Sequence, residues 1–220
     1  MTQTLTTTIR FPEISLATRD AHKLRGYFGD YFKEHSPLLH NHYEDGSSRY
    51  RYPLVQYKVI DQVPTLLGVN DGAELLTSLF LKISQLDIGG EIYPVHSKNI
   101  AQQHTQVGVV DELNNYRFSN YWMALNTDNF KKYVKINEEE KCQLLNQVLR
   151  NNLLSFLKGV GIWVEKKIMA RGNFRERTSK FKDQKMMVFE GDFVSNVALP
   201  ELVGLGKSVA RGFGAIKKVP

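Results

Sequence analysis

His40 and His42 stand two residues apart in a stretch, residues 38–60, that reads LLHNHYEDGSSRYRYPLVQYKVI. After a polar turn over residues 44–48 it enters a strand-like run carrying Arg49, Tyr50, Arg51, Tyr52, Tyr57 and Lys58. An imidazole gives or takes a proton near neutral pH, and Tyr, Arg and Lys hydrogen-bond a developing oxyanion. Together they are the equipment for proton transfer at a phosphate. Side chains two apart on an extended chain point the same way, so both histidines could reach one site. A solvated loop with two exposed histidines has the same local pattern, and the spacing alone leaves both readings open.

A second concentration of chemistry lies near the C-terminus. The net charge is +6, yet residues 1–158 balance, with 17 basic and 17 acidic side chains, so the whole excess falls in residues 159–220. Eight cations, Lys166, Lys167, Arg171, Arg175, Arg177, Lys180, Lys182 and Lys185, lie within one short segment. Such a density favours a polyanionic partner. Further on, residues 204–214 read GLGKSVARGFG. A P-loop would need glycine where Glu201 stands, and a dinucleotide fingerprint would need one at Val209 with a long βαβ unit after it. Neither pattern fits. What is left is a loop of paired glycines, Gly204, Gly206, Gly212 and Gly214, holding Lys207 and Arg211. Glycines let backbone amides approach phosphates, and the two cations add charge-assisted contacts.

The elements that must position these groups are of mixed α+β type. At 220 residues, 42% hydrophobic and 11% aromatic, the chain can fill one or two globular cores. It has no apolar run of membrane-spanning length and no apolar core of a secretory signal, so no membrane association is expected. The single cysteine, Cys142, excludes an intramolecular disulfide and a cysteine-based zinc cage, and reads as core filler in a reducing cytoplasm. Residues 4–10 read as a strand. Thr18 then caps a helix of Ala21, Leu24, Phe28 and Tyr31, which Gly26 and Gly29 weaken and Pro37 ends. Residues 50–60 and 65–69 read as a hairpin, Asp71 and Glu74 as a capping box opening a helix, and residues 92–95 and 105–110 as strands. This strand–helix–strand–strand–helix–strand order is ferredoxin-like.

The second half begins alike, with a strand over residues 117–125. A helix follows, capped by Asn137, with Cys142, Leu145, Leu149, Leu153 and Phe156 as its buried stripe and Gly159 as its stop. Strands over 166–170 and 186–197 flank the basic segment, and 215–219 close the chain. Tandem ferredoxin-like (RRM-like) domains result, the second incomplete and ending in the glycine-rich loop. Their expected bounds are 1–112 and 113–220.

The glycine loop at 204–214 resembles that of the repeat-associated RNA-binding (RAMP) superfamily serving CRISPR systems. The runs LRGYFG at 24–29, His40-Asn41-His42 and RYPLVQYK at 51–58 are similar to CRISPR repeat-processing endoribonucleases, within them to a compact branch with a histidine pair. The resemblance implies metal-independent cleavage of precursor CRISPR RNA without a cofactor, by attack of a 2′-hydroxyl that leaves a cyclic phosphate and a 5′-hydroxyl. It carries the roles of general base and general acid to His40 and His42, and an assisting role to Tyr50 or else Tyr52. RNA contacts are expected from Arg49, Arg51, Lys58, the eight cations of 166–185 and the glycine loop. Other CRISPR effector subunits and a second copy of the chain (a homodimer) are the further partners left open. Against the nuclease stands a non-catalytic RNA-binding subunit of an effector complex, which needs the cations but no proton carriers. A metal-dependent nuclease suggested by the letters His-Asn-His lacks ligands, since no histidine follows His42 until His96.

Overall fold

The computed structural model describes residues 1–31, 52–181 and 184–220. Expectations for Pro37, His40, His42, Arg49, Tyr50, Arg51, Lys182 and the turn at 44–48 lie outside the described residues. The described chain forms two compact units, Gln3–Thr105 with Ala210–Gly212, and Met1–Thr2 with Gln106–Val209 and Phe213–Pro220. The change between them falls inside one strand, a little before the boundary expected at 112. Among the described residues no helix is long and apolar enough to cross a membrane.

In the N-terminal unit, strand β1 (Thr2–Arg10) leads to helix α1 (Ala21–Tyr31), then to the hairpin of β2 (Val55–Ile60) and β3 (Val63–Val69) and helix α2 (Asp71–Leu79). A two-stranded ribbon, β4 (Gln85–Asp87) and β5 (Ile92–Pro94), precedes the long strand β6 (Asn99–Phe118). The sheet runs in the order β2-β3-β1-β6, the ferredoxin-like order. The hairpin is tight because Asp61 and Gln62 both take positive φ between the paired Ile60 and Val63. Val55, Tyr57 and Val59 alternate onto one face, where they meet Leu24 and Phe28 of α1 in the core. The Phe28 and Tyr57 rings stack at 5.8 Å.

Three expectations are corrected here. Thr18 opens a short 3-10 turn leading into α1 and follows Ala17, which has no capping side chain. The capping box at Asp71 and Glu74 does not form, because Asn70 holds the cap position at φ 50° and its side chain accepts the Leu5 amide at 3.2 Å. Ile92–Pro94 pairs with β4 in the ribbon and not with the main sheet.

In the C-terminal unit the end of β6 is followed by α3 (Thr127–Tyr133), α4 (Glu138–Gly159), β7 (Ala170–Phe181), β8 (Gln184–Ala198) and β9 (Ile216–Val219). Strand β6 lies between β9 and β8, and β7 is outermost beside β8, all antiparallel. That is again the ferredoxin-like order, with residues 199–215 where a second crossover helix would stand.

Helix α4 starts as its sequence says it should. The Asn137 side chain accepts the Glu140 amide at 3.0 Å, and Glu140 returns a bond to the Asn137 amide at 3.1 Å. It ends when Gly161 takes φ +82°, so that Gly161 and Ile162 donate to Lys158 and Leu157 at 3.1 and 2.8 Å. Leu144, Leu145, Val148, Leu149, Leu153, Phe156 and Leu157 are buried, whereas Cys142 is exposed and fills no core. Residues 119–125 form no strand beyond an isolated bridge from Trp122 to Phe189, since the Trp122 ring is drawn into a cluster with Phe118, Phe174 and Phe189. The basic segment expected to connect two strands is itself the body of β7.

Candidate nucleic-acid interface

The β7–β8 hairpin owes its two faces to strand alternation. Phe174 points to Trp122, whose indole nitrogen donates to Asn152 of α4 at 3.1 Å. Arg171, Asn173, Arg175 and Arg177 therefore share the opposite face, with Val194, Asp192, Glu190 and Val188 across from them on β8. The next strands extend this face, because Asp192 opposes Arg117 of β6 and Arg117 opposes Lys217 of β9.

The charges on this face are unequal. Arg117 holds Asp192 through two bonds of 2.6 and 2.7 Å, which raise the guanidinium and pull the carboxyl below its usual range. Arg177 reaches Glu190 at 2.5 Å. The two carboxylates thus answer two arginines, and Arg171, Arg175 and Lys217 remain in excess among the described residues. A depression of about 380 Å³ lies over this point, lined by Arg117, Asn173, Arg175, Glu190 and Asp192 among others. A planar guanidinium matches phosphate oxygens in pairs, so the face suits a phosphate backbone.

Elsewhere the expected cations scatter. Lys167 and Lys185 are exposed, and Lys166 pairs with Asp111 at 2.9 Å in solvent. Lys180 lies opposite Lys185 in the register. Lys58 departs most from expectation. It faces away from Val55, Tyr57 and Val59, opposite Thr65, and is wholly buried, so it is not one of the surface cations. Its ammonium has no hydrogen-bond partner among the described residues, and burial pulls it down to about 7.

In the glycine loop the glycines have a steric reason. Gly206, at φ +96°, lies so near the Trp122 indole and the Met123 carbonyl that a Cβ would strike both, and Lys207 donates to that carbonyl at 2.9 Å. Gly214, at φ +69°, is pressed on the Leu205 carbonyl, while the Leu205 and Gly214 amides are spent on Gly214 and Tyr121. Gly204, Gly212 and Gly214 are buried. The amides of Leu205, Lys207 and Gly214 therefore bond within the protein and not outward, and the loop offers the exposed side chain of Lys207 to solvent.

One neighbour escaped the sequence-based reading. Gly212 packs on Ala21 of α1 and the Tyr57 carbonyl, and Arg25, one turn on from Ala21, feels Arg211. Burial first, and then that second guanidinium, lower Arg25. The i, i+4 relation to Ala21 was visible in the sequence, but its approach to Arg211 was not. Tyr52, the alternative assisting tyrosine, is half-buried and its hydroxyl accepts the Gln56 side chain at 2.8 Å.

Comparison with known proteins places this geometry. Residues 2–106 match the family model of the Cas6b N-terminal domain, and residues 108–219 that of the Cas6b C-terminal domain. A crystal structure of Cas6b is 33% identical, aligns over 99% of this chain and 100% of that one, and gives a TM-score of 0.94. A second, described as the CRISPR RNA processing endoribonuclease Cas6b, is 31% identical with a TM-score of 0.81, over 99% of this chain and 100% of that one. An uncharacterised protein of Methanocaldococcus jannaschii is 32% identical over 64% of this chain and 97% of its own length. The fold is the tandem ferredoxin-like arrangement of these proteins, and with both halves matched the chain belongs to the Cas6b family.

Proposed function

We propose that this chain is a metal-independent endoribonuclease that cleaves precursor CRISPR RNA within its repeats to release guide RNAs. Likeness over nearly the whole chain to a CRISPR RNA processing endoribonuclease carries the reading. The excess arginines of β7 support it as a surface for the RNA backbone.

In this reading His40 takes the proton from the ribose 2′-hydroxyl, and the 2′-oxygen attacks the adjacent phosphorus. The bond from phosphorus to the 5′-oxygen breaks, and His42 returns a proton to that oxygen. The products are a cyclic phosphate and a 5′-hydroxyl, so water and metal are not consumed or required in the step. Tyr50, or Tyr52 in its place, hydrogen-bonds the charged phosphate oxygens. Arg49, Arg51, Arg171, Arg175, Arg177, Lys180, Lys182, Lys185, Lys207 and Arg211 hold flanking phosphates.

Single-turnover cleavage of a repeat RNA in the presence of a chelator tests this. Wild-type protein cleaves at an unchanged rate, while His40→Ala and His42→Ala each lose about 10²–10⁴ in rate with RNA affinity retained. The double variant loses less than the product of the two, because both groups serve one transition state. Full activity in the double variant, or loss of cleavage on chelation, overturns the mechanism. Tight binding with no cleavage by the wild type assigns the chain instead to the RNA-binding subunits.

A further inference from the structure

Trp163 is 81% exposed, the largest apolar side chain left in solvent among the described residues, whereas Trp122 is wholly buried. Loose chain does not explain this exposure. On one side of Trp163, the α4 stop fixes Gly161 and Ile162, and Ile162 is buried. On the other side, the buried Asn196 accepts the Met169 amide at 2.8 Å and donates to the Lys167 carbonyl at 3.0 Å. The Ser195 hydroxyl adds a bond to the Met169 carbonyl at 2.8 Å. Trp163 thus projects from a short span tied down at both ends.

What the indole would meet is indicated by the charges around it. Lys158 lies in the last turn of α4, and Lys166 and Lys167 follow Trp163 by three and four residues, all three exposed. Among the described residues only Lys166 is paired, with Asp111 at 2.9 Å, and that pair stands open to solvent where screening leaves it weak. An apolar partner surface would call for a continuous apolar patch, but Glu165, Lys166 and Lys167 separate Trp163 from the half-exposed Met169. A rigid aromatic face beside ammonium groups fits single-stranded nucleic acid, whose bases stack on the ring while phosphates meet the cations. The span also runs directly into the open end of the β7–β8 hairpin, where Ala170 pairs with Ser195 and the arginine face begins at Arg171.

We propose that Trp163 is a stacking platform for one unpaired base of the bound RNA, at the foot of the arginine-bearing hairpin. This rests on the RNA-binding function proposed above and adds a base contact to what is otherwise a phosphate surface. The platform reads no sequence, because every base has a π-face; it requires that the base be unpaired.

The test measures affinity by fluorescence anisotropy for a labelled single-stranded repeat RNA and for the same RNA with one abasic site walked along it. Trp163→Ala weakens binding by roughly 5- to 100-fold, Trp163→Tyr stays within a few-fold of wild type, and the slope against salt is unchanged in both. One abasic position costs the wild type a similar factor and costs Trp163→Ala nothing further. Equal affinity of wild type and Trp163→Ala, in a wild type that binds the RNA, overturns the platform while leaving the function standing. So does a defect of Trp163→Ala confined to self-association in sedimentation or to binding of anionic vesicles. Absence of any repeat-RNA binding by the wild type removes the proposed function and the platform together.

Discussion

In the N-terminal unit the step from third to fourth strand is made by α2, with Ala73, Leu76 and Leu79 buried beneath it. Between β8 and β9 residues 199–215, of which Ala210–Gly212 count with the first unit, make the same step with one 3-10 turn, Val209–Arg211, and glycines at φ +96° and +69°. A helix interior satisfies its own backbone, so α2 needs an apolar stripe and, at its first turn, a bare Gly72 against the Leu54 carbonyl. A loop must find each partner elsewhere, and this one sends amides to Met123, Tyr121 and Gly214 and packs glycines where a Cβ has no room. The two units also handle charge oppositely. The first buries a lysine with no hydrogen-bond partner among the described residues, and the second sets arginines on an outer sheet face.

Lys58 gives the largest expected effect on stability. Above the ordinary lysine value both folded and unfolded chains carry it neutral. As pH falls, the unfolded chain takes up a proton that the folded chain refuses until about 7, so stability declines through that window and levels off below it. Lys58→Met should flatten the slope between about 7 and the ordinary lysine range. It should stabilise the protein at pH 7 by up to about 5 kcal/mol, read by denaturant unfolding across pH. A wild type without that slope, together with a destabilised Lys58→Met, would place a charge partner on Lys58 and narrow the contrast between the units; a slope that persists in the variant would assign it to other groups.

Smaller, at about 2–3 kcal/mol, is the loss expected for Gly214→Ala, which puts a Cβ at φ +69° against the Leu205 carbonyl. Gly26→Ala on α1 is the matching change in the other unit, where nothing among the described residues lies within 4 Å, and should gain about 1 kcal/mol. Thermal unfolding of both variants separates a loop built around its glycines from a helix that merely tolerates one.

The smallest effect is on binding. Arg171→Ala with Arg175→Ala removes two of the cations left in excess on the C-terminal face. The slope of log affinity against log salt for single-stranded RNA should fall by roughly 1.4, about 0.7 for each phosphate no longer neutralised. An unchanged slope would assign that face to solubility and move the RNA elsewhere.

Local chemistry was legible in the chain. The cap at Asn137 and the helix that follows it depend on residues within a few positions of each other, and both formed, although Cys142 is exposed and the stop falls at Gly161 and not at Gly159. The ferredoxin-like arrangement of both units followed from element order. What depended on distant contacts was not legible. Asn70 displaced the expected cap because its side chain meets Leu5, sixty-five residues away in the chain. The basic segment is a strand because β8 lines up with it, and only that register sorts Arg171, Arg175 and Arg177 onto one face. Lys58 and Trp163 mark the limit most sharply. A lysine reads as surface and a tryptophan as core in any sequence, because transfer free energies favour it. Their inverted placement was decided by the burial of both faces of β2, the face carrying Lys58 included, and by how Asn196 tied down the span after α4.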